Sequence, residues 1–301
     1  MTPRPNFFIV GAPKCGTTAL YEYLHPHPNI FMPKVKEPHF FATDLGTYPA
    51  IKSIDEYTRL FAESTQRHTR VGEASVYYLR SSTALRNIRE YNPDARIIAM
   101  FRNPVDMVHS LHSQLLYWSI ETEPDFETAW RLQERRGQGL DLPRSCPEPR
   151  LLQYKEIGSF GTQTERLFSQ FPRDQVKLIL YDDFAASPRG TYDDVIDFLG
   201  LPHDNRAEFP RINENKSARL TWVRNFMRAP PPGVRKAFRW LKRTAGDHGL
   251  SALRKGLIDL NTTKQRRAPL SPELRAELVD AFREEVRLLS RLWDRDLSHW
   301  T

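Results

Sequence analysis

Apolar residues along this chain follow two distinct spacings. Unbroken apolar runs appear in "FFIV" (Phe7–Val10), "RIIAMF" (Arg96–Phe101) and "QVKLILYDDF" (Gln175–Phe184), with a shorter one in "RVGEAS" (Arg70–Ser75). Runs of this length bounded by glycine or polar residues suit strands buried on both faces of a parallel sheet. Between them the apolar residues recur at helical spacing. Leu20, Tyr21 and Leu24 mark one helix, Ser82 to Tyr91 a second that stops at Asn92-Pro93, and Pro104 to about Trp118 a third. "TYDDVIDFLGL" reads as a helix with Gly200 just past its end, and Ser271-Pro272 supplies the cap and first-turn proline of a helix reaching about Leu289. Strands alternating with helices predict an α/β fold, with a P-loop-like, mostly parallel sheet flanked by helices.

Two stretches break the alternation. "RRGQGLDLPRSCPEPR", inside residues 120–155, is rich in Gly, Pro and Arg and reads as a flexible surface insertion. "RAPPPG" (Arg228–Gly233) is a second break, followed by Arg-rich helical stretches, and the chain is expected to divide into a core of residues 1–220 and a basic helical part, 221–301, packed on that core.

Composition leaves this picture intact. The chain has 301 residues, 40% of them apolar and 27% charged, which suits a globular domain with a full core. There is no apolar run of transmembrane length, no signal-peptide pattern, and no disulfide framework in Cys15 and Cys146, so the expected location is cytoplasmic. Charge changes more. The net charge of +7 is regional: Arg211 to Arg267 holds 15 Lys and Arg against 3 Asp and Glu, while the rest of the chain is slightly acidic. Within that segment "VRKAFRWLKR" (Val234–Arg243) has the form of a basic amphipathic helix, suited to packing on the domain or to peripheral contact with an anionic membrane or acidic glycan. Nothing points to a nucleic-acid partner.

The chemistry begins at "GAPKCGTTALYEYL". A strand, a glycine loop and a helix present backbone N–H groups and a helix dipole to an anion. A nucleoside triphosphatase loop reads G-x-x-x-x-G-K-[ST]. Here Gly11 and Gly16 keep the spacing, but Thr17 occupies the lysine position and Lys14 lies inside the loop. "RIIAMF" runs into Arg102 and offers no acidic metal ligand, so no metal is expected. Such a loop fits a ligand with one 5′-phosphate and a neighbouring anionic group. Arg102 and Ser110, at the end of one strand and early in the next helix, suit a phosphate monoester at the same edge of the sheet.

Together "GAPKCGTTALYEYL", "KEPHFF" and "RNPVDMVHS" resemble the sulfotransferases that use 3′-phosphoadenosine 5′-phosphosulfate (PAPS), in particular the bacterial-type members and the heparan-sulfate branch. The resemblance runs discontinuously from Phe7 to about Leu220, and "DLSHW" at the C-terminus adds to it. It implies an enzyme that moves a sulfuryl group from PAPS to an acceptor hydroxyl on a glycan, lipid or small natural product, releasing 3′,5′-phosphoadenosine (PAP). Carried over, Lys14, Cys15, Gly16, Thr17 and Thr18 surround the 5′-phosphosulfate, and Arg102 and Ser110 hold the 3′-phosphate. "NENKSAR" contributes Asn215, Lys216, Ser217 and Arg219 to a closing loop. Glu37 is implied as the general base, assisted by Lys14. The branch often carries a lysine after the glutamate of "GEKTPSYF"; Ala74 stands there in "GEASVYYL", which makes Glu73 a second candidate. His39 and Tyr154 are candidate acceptor contacts, and His109 and His112 weaker base candidates. Two alternatives remain at this stage: a P-loop kinase-like phosphotransferase using ATP and Mg²⁺, and a non-catalytic module binding PAP or an anionic glycan.

Overall fold

The structure is a computed structural model describing residues 4–46, 48, 49, 51–212, 217, 218, 262, 263 and 267–301. Asn215, Lys216, Arg219 and the 234–243 segment lie outside the described residues, as do the side chains of Ser217 and Ala218.

Five strands form one parallel sheet. β1 (Phe7–Gly11) is central, between β3 (Arg70–Ala74) and β4 (Arg96–Phe101); β2 (Ile30–Phe31) and β5 (Val176–Leu180) flank them in the order β2-β3-β1-β4-β5. Every residue of β1 is buried, as are all but the first of β4, so the runs "FFIV" and "RIIAMF" are central strands covered on both faces, whereas the third run forms the edge strand β5, whose first three residues are half-buried. The covering helices include α1 (Thr17–Leu24), α2 (Ile54–Arg59), α3 (Ala84–Tyr91) and α4 (Pro104–Tyr117). The order of strands reverses beside β1, and in an open parallel sheet that point opens a crevice at the carboxyl ends of the strands.

Three segments differ from the sequence reading. Residues 120–155 contain α5 (Phe126–Arg131), α6 (Gln133–Gly137), a 3₁₀ turn (Pro149–Leu152) and the start of α7 (Tyr154–Gly158). Their anchor is Arg136, whose buried guanidinium meets both oxygens of buried Glu121 at 2.5 and 2.8 Å. The run "QVKLILYDDF" is strand only to Leu180, where it turns into α9 (Tyr181–Ala186). Asp182 and Asp183 favour a helix start there, and Asp183 is pinned by Arg295 at 2.6 and 2.8 Å. The final helix extends beyond Leu289: after α8 (Phe160–Gln170) and α10 (Pro188–Leu199), α11 runs Pro272–Trp293. The Ser271 hydroxyl caps it by accepting from the Leu274 N–H, and its buried stripe, from Leu274 through Leu278, Phe282 and Val286 to Leu289, packs on the core.

Beside the main sheet, Ser217–Ala218 (β6) pairs antiparallel with Thr262–Thr263 (β7). Its first strand, β6, contacts α4.

Candidate active site

The loop after β1 becomes an anion cradle because of Gly16. Its φ of 92° lies in the left-handed region, and a Cβ there would come within 3.1–3.3 Å of Phe184, Tyr181 and Met100. No side chain caps α1, so the backbone N–H groups of its first turn point into the cleft. Lys14 precedes it, also in the left-handed region at φ 61°.

At the end of β4 the chain places Arg102 and immediately starts α4. The Asn103 side chain accepts from the Val105 N–H, and Pro104 occupies the first helical position. The Arg102 guanidinium sits over the Tyr181 ring, 4.8 Å from its centre. Early α9 thus shapes the site from below. Ser110 follows on α4, almost fully buried.

Across the cleft, the segment before β3 carries Glu37. Its N–H donates to the Ala74 carbonyl at 3.0 Å, tying it to the end of β3. Glu37 and His39 both adopt left-handed backbone, at φ 63° and 52°. Such conformations cost side-chain-bearing residues free energy, and persist where surrounding contacts over-determine them. The Glu37 carboxylate receives Lys36 Nζ at 2.7 Å on one oxygen, and faces His39 Nε2 at 3.5 Å on the other. Burial opposes its ionisation most strongly, but His39 and Lys36 outweigh burial and bring its pKa down to about 2. Glu37 is therefore a carboxylate throughout the neutral range.

Lys14, Gly16, Thr17, Thr18, Arg102 and Ser110 line one continuous cleft of about 2290 Å³, and Lys36 and Glu37 line it too. Burial, then the neighbouring Arg267 and Arg102, lower the Lys14 pKa to about 8. Of the other candidates, Cys15, His39, Glu73 and Tyr154 stay out of the cleft lining, while His109 and His112 are part of it. Cys15 is fully buried, donates its thiol to the Pro13 carbonyl at 3.3 Å, and is pushed by burial up to about 12. Glu73 lies beneath the cleft, fully buried, accepting from the Tyr57 and Tyr78 hydroxyls at 3.2 and 2.8 Å. Tyr154 is also buried and donates to Glu121 at 2.9 Å, as part of the wall rather than its surface. His39 is buried behind Glu37, packed on the Tyr48 and Tyr77 rings. His109 lines the cleft as a neutral imidazole, because burial and Arg267 depress its pKa to about 4. His112 is held by the Glu123 carbonyl at 2.8 Å.

A model of the sulfotransferase domain matches residues 4–230. The chain belongs to the sulfotransferase family. A solved sulfotransferase from Alicyclobacillus acidocaldarius has the same fold, with a TM-score of 0.73 and 30% identity over 99% of both chains. Among curated sulfotransferases, rat carbohydrate sulfotransferase 15 is 24% identical over 65% of this chain and 44% of its own length. Human bifunctional heparan sulfate N-deacetylase/N-sulfotransferase 3 is 29% identical over 70% of this chain and 24% of its own. The chain thus spans less than half the length of these curated relatives. The parallel α/β fold expected from the alternation of strands and helices is the one the family has. Among the described residues no cluster of three or more His, Cys, Asp or Glu is arranged to hold a metal.

The residue missed in the sequence is Arg267. It closes the basic segment, just ahead of α11, yet lines the same cleft, and its buried Nη1 has no hydrogen-bond partner among the described residues. The regional excess of positive charge was its only signal; spacing within the chain does not show that residue 267 meets residues 14 and 102.

Proposed function

We propose that this chain transfers a sulfuryl group from PAPS to an acceptor hydroxyl, with Glu37 as the general base and Lys14 as the charge-stabilising group. The observation that carries this reading is the meeting, in one cleft, of an uncapped helix N-terminus, a group of cations and an ionised carboxylate. Lys14, Arg102 and Arg267 act on one another electrostatically, Lys36 pairs with Glu37, and Arg211 also lines the cleft. The donor set suits a nucleotide with separated anionic groups. The first turn of α1, with Thr17 and Thr18, faces one phosphate; Arg102 and Ser110 face another; and Arg267 Nη1, without a partner among the described residues, offers a further N–H.

PAPS, when bound, supplies a sulfuryl group whose leaving group is a phosphate. Lys14 then stabilises negative charge as it develops on the oxygen between phosphorus and sulfur, aided by the dipole of α1. Glu37 accepts the acceptor's proton. A carboxylate this weakly basic takes a proton only from a hydroxyl already made acidic by bonding to sulfur, so transfer of the proton comes late. Lys36 and His39 hold the carboxylate ionised and aimed. The glycan enzymes among the relatives put sugars first among acceptors to test.

The test has two arms. PAP without added metal should raise thermal stability, by about 2.7 kcal/mol at 100 times its dissociation constant. In parallel, [³⁵S]PAPS is offered with an oligosaccharide, a sterol and a phenol, scoring labelled product. Stabilisation by ATP with Mg²⁺ and none by PAP would replace this reading with a phosphotransferase.

The pH dependence offers a further check. Lys14 loses its charge as pH rises through about 8 in the free protein, so kcat/KM for PAPS should decline above that pH. Lys14→Arg keeps its charge at every accessible pH. That variant should be slower but lack the alkaline decline. An identical decline in the variant assigns the titration to another group.

A further inference from the structure

Beneath the cleft lies a polar cluster that the chemistry above does not use. Glu73, the penultimate residue of β3, is fully buried. One carboxylate oxygen, Oε2, accepts from the Tyr57 hydroxyl at 3.2 Å and the Tyr78 hydroxyl at 2.8 Å; Oε1 has no hydrogen-bond partner among the described residues, though the Ser75 hydroxyl is near enough to favour the ionised form. A buried carboxylate without a cation is costly and calls for a reason. Its surroundings are aromatic. Phe41 packs against both tyrosine rings, 5.1 Å from Tyr57 and 5.9 Å from Tyr78, and Phe40 stacks on Tyr57 at 4.6 Å.

The tyrosine hydroxyl at 78 serves two groups. A phenol has one proton to donate. Burial raises the Glu73 pKa to about 7. Both hydroxyls donate to Oε2, which accepts whether the carboxyl is ionised or carries its proton on Oε1, so the Tyr78 proton is committed to it. The lone pairs of Tyr78 then face outward, where the Phe41 N–H donates to them at 3.3 Å. This contact is one of three that stitch the base-bearing segment to the end of β3. The Glu37 N–H donates to the Ala74 carbonyl at 3.0 Å, and the His39 N–H to the Ser75 hydroxyl at 3.0 Å. Glu37 and His39 need such fixing because both sit in left-handed backbone.

We propose that Glu73 is a positioning residue: acting through the Tyr78 hydroxyl, it fixes the 37–41 segment so that Glu37 faces the cleft. The inference rests on Glu37 being the base. It gives the buried glutamate a part in the reaction without contact with either substrate.

A merely structural role would lower stability and the active fraction in any background. A positioning role acts through Glu37 alone and vanishes when Glu37 is already disabled. The experiment is therefore a double-mutant cycle with [³⁵S]PAPS and the best acceptor of the panel above. Tyr78→Phe should lower kcat roughly 10- to 100-fold, as small misplacements of catalytic groups do, with KM for PAPS unchanged. Glu73→Leu should do the same. Glu73→Gln keeps an oxygen to accept from both hydroxyls and should restore most of the rate. In a Glu37→Gln background, adding Tyr78→Phe should cost nothing further. A second readout needs no acceptor. The ¹³C signal of the Glu37 carboxyl, identified by its loss in Glu37→Gln, should titrate at higher pH in Tyr78→Phe than in the parent, as the contacts from Lys36 and His39 loosen. Equal loss in both backgrounds, or an unmoved Glu37 titration, overturns the inference and leaves the base assignment standing. A Glu37→Gln protein that turns over at the parent rate overturns both.

Discussion

Glu37→Gln is expected to lower turnover roughly 10²- to 10⁴-fold, the range over which a positioned base contributes. The amide keeps the size and shape of the side chain but has no lone pair basic enough to take the acceptor's proton. Lys36 and His39 keep a polar neighbour, so the left-handed segment at 37–39 retains its contacts with β3. Binding of PAP should be unchanged or slightly tighter, because the negative charge removed lies in the same cleft as Lys14. The pH profile adds a second criterion. With its folded pKa near 2, Glu37 is ionised at every pH where the protein is handled, so the parent should show no acid decline in kcat/KM between pH 8 and about 5. A histidine base would show one near its ordinary pKa of about 6.5. Near-parental turnover in the variant, together with a decline in that range in the parent, would move the role from Glu37 to an imidazole.

The parts of this site that were legible in the sequence are those fixed by local backbone chemistry. Gly11, Lys14 and Gly16 announce an anion loop because the strand, turn and helix that build it are contiguous. Arg102 and Ser110 could be placed together because a strand end and the first turns of the following helix share one edge of a parallel sheet. Glu37 came from resemblance alone; nothing in its spacing says that it crosses to face the loop. What brings it there is the end of β3, whose Ala74 carbonyl and Ser75 hydroxyl take two of its segment's N–H groups.

What could not be read has a common cause, which is that charge and turn residues take their meaning from partners far away in the chain. Arg267 is one of 15 basic residues in its segment and becomes a cleft residue only through the docking of α11. The sequence from Tyr181 to Phe184 continues an apolar strand by pattern. It becomes helix because Asp183 meets Arg295 and because Tyr181 takes its place beneath Arg102. Glu73 and Tyr154 looked like polar candidates for substrate contact, since a lone sequence does not distinguish a buried carboxylate held by two tyrosines from an exposed one. The Gly- and Pro-rich stretch around residue 140 looked mobile for the same reason, its arginines being indistinguishable by pattern from solvated ones.

That stretch supplies the largest stability effect expected. Arg136→Met should destabilise the fold by about 3–5 kcal/mol, the cost of removing one partner from a buried ion pair. Glu121 would remain fully buried, with the hydroxyl of Tyr154 at 2.9 Å and the N–H groups of Thr122 and Glu123 at 2.8 and 2.9 Å, but without a cation. The sign of its pH dependence follows from the same geometry. Burial works against ionisation of Glu121, and the Arg136 bonds outweigh it to hold the carboxyl below its ordinary pKa. In the parent, therefore, Glu121 contributes stability above its unfolded pKa, and this is lost as pH falls through the folded value. In Arg136→Met the buried carboxyl instead gains by taking up a proton, so the deficit relative to the parent should be greatest at neutral pH and narrow on acidification. Adding Glu121→Gln, which removes the charge, keeps an oxygen for the two N–H groups and turns an NH₂ to the Tyr154 hydroxyl, which then accepts, should recover much of the loss. Urea unfolding of the single and double variants at pH 7 and pH 5 measures each term. The functional consequence should be one-sided. Glu121, Thr122 and Asp125 line the cleft alongside Phe126, whereas Lys14, Arg102 and Ser110 are carried by the ends of β1 and β4 and by α4. Loosening this wall should raise KM for the acceptor while PAP affinity holds. A deficit below about 1 kcal/mol, a size ordinary for exposed pairs, would show that Arg136 is not what orders the wall.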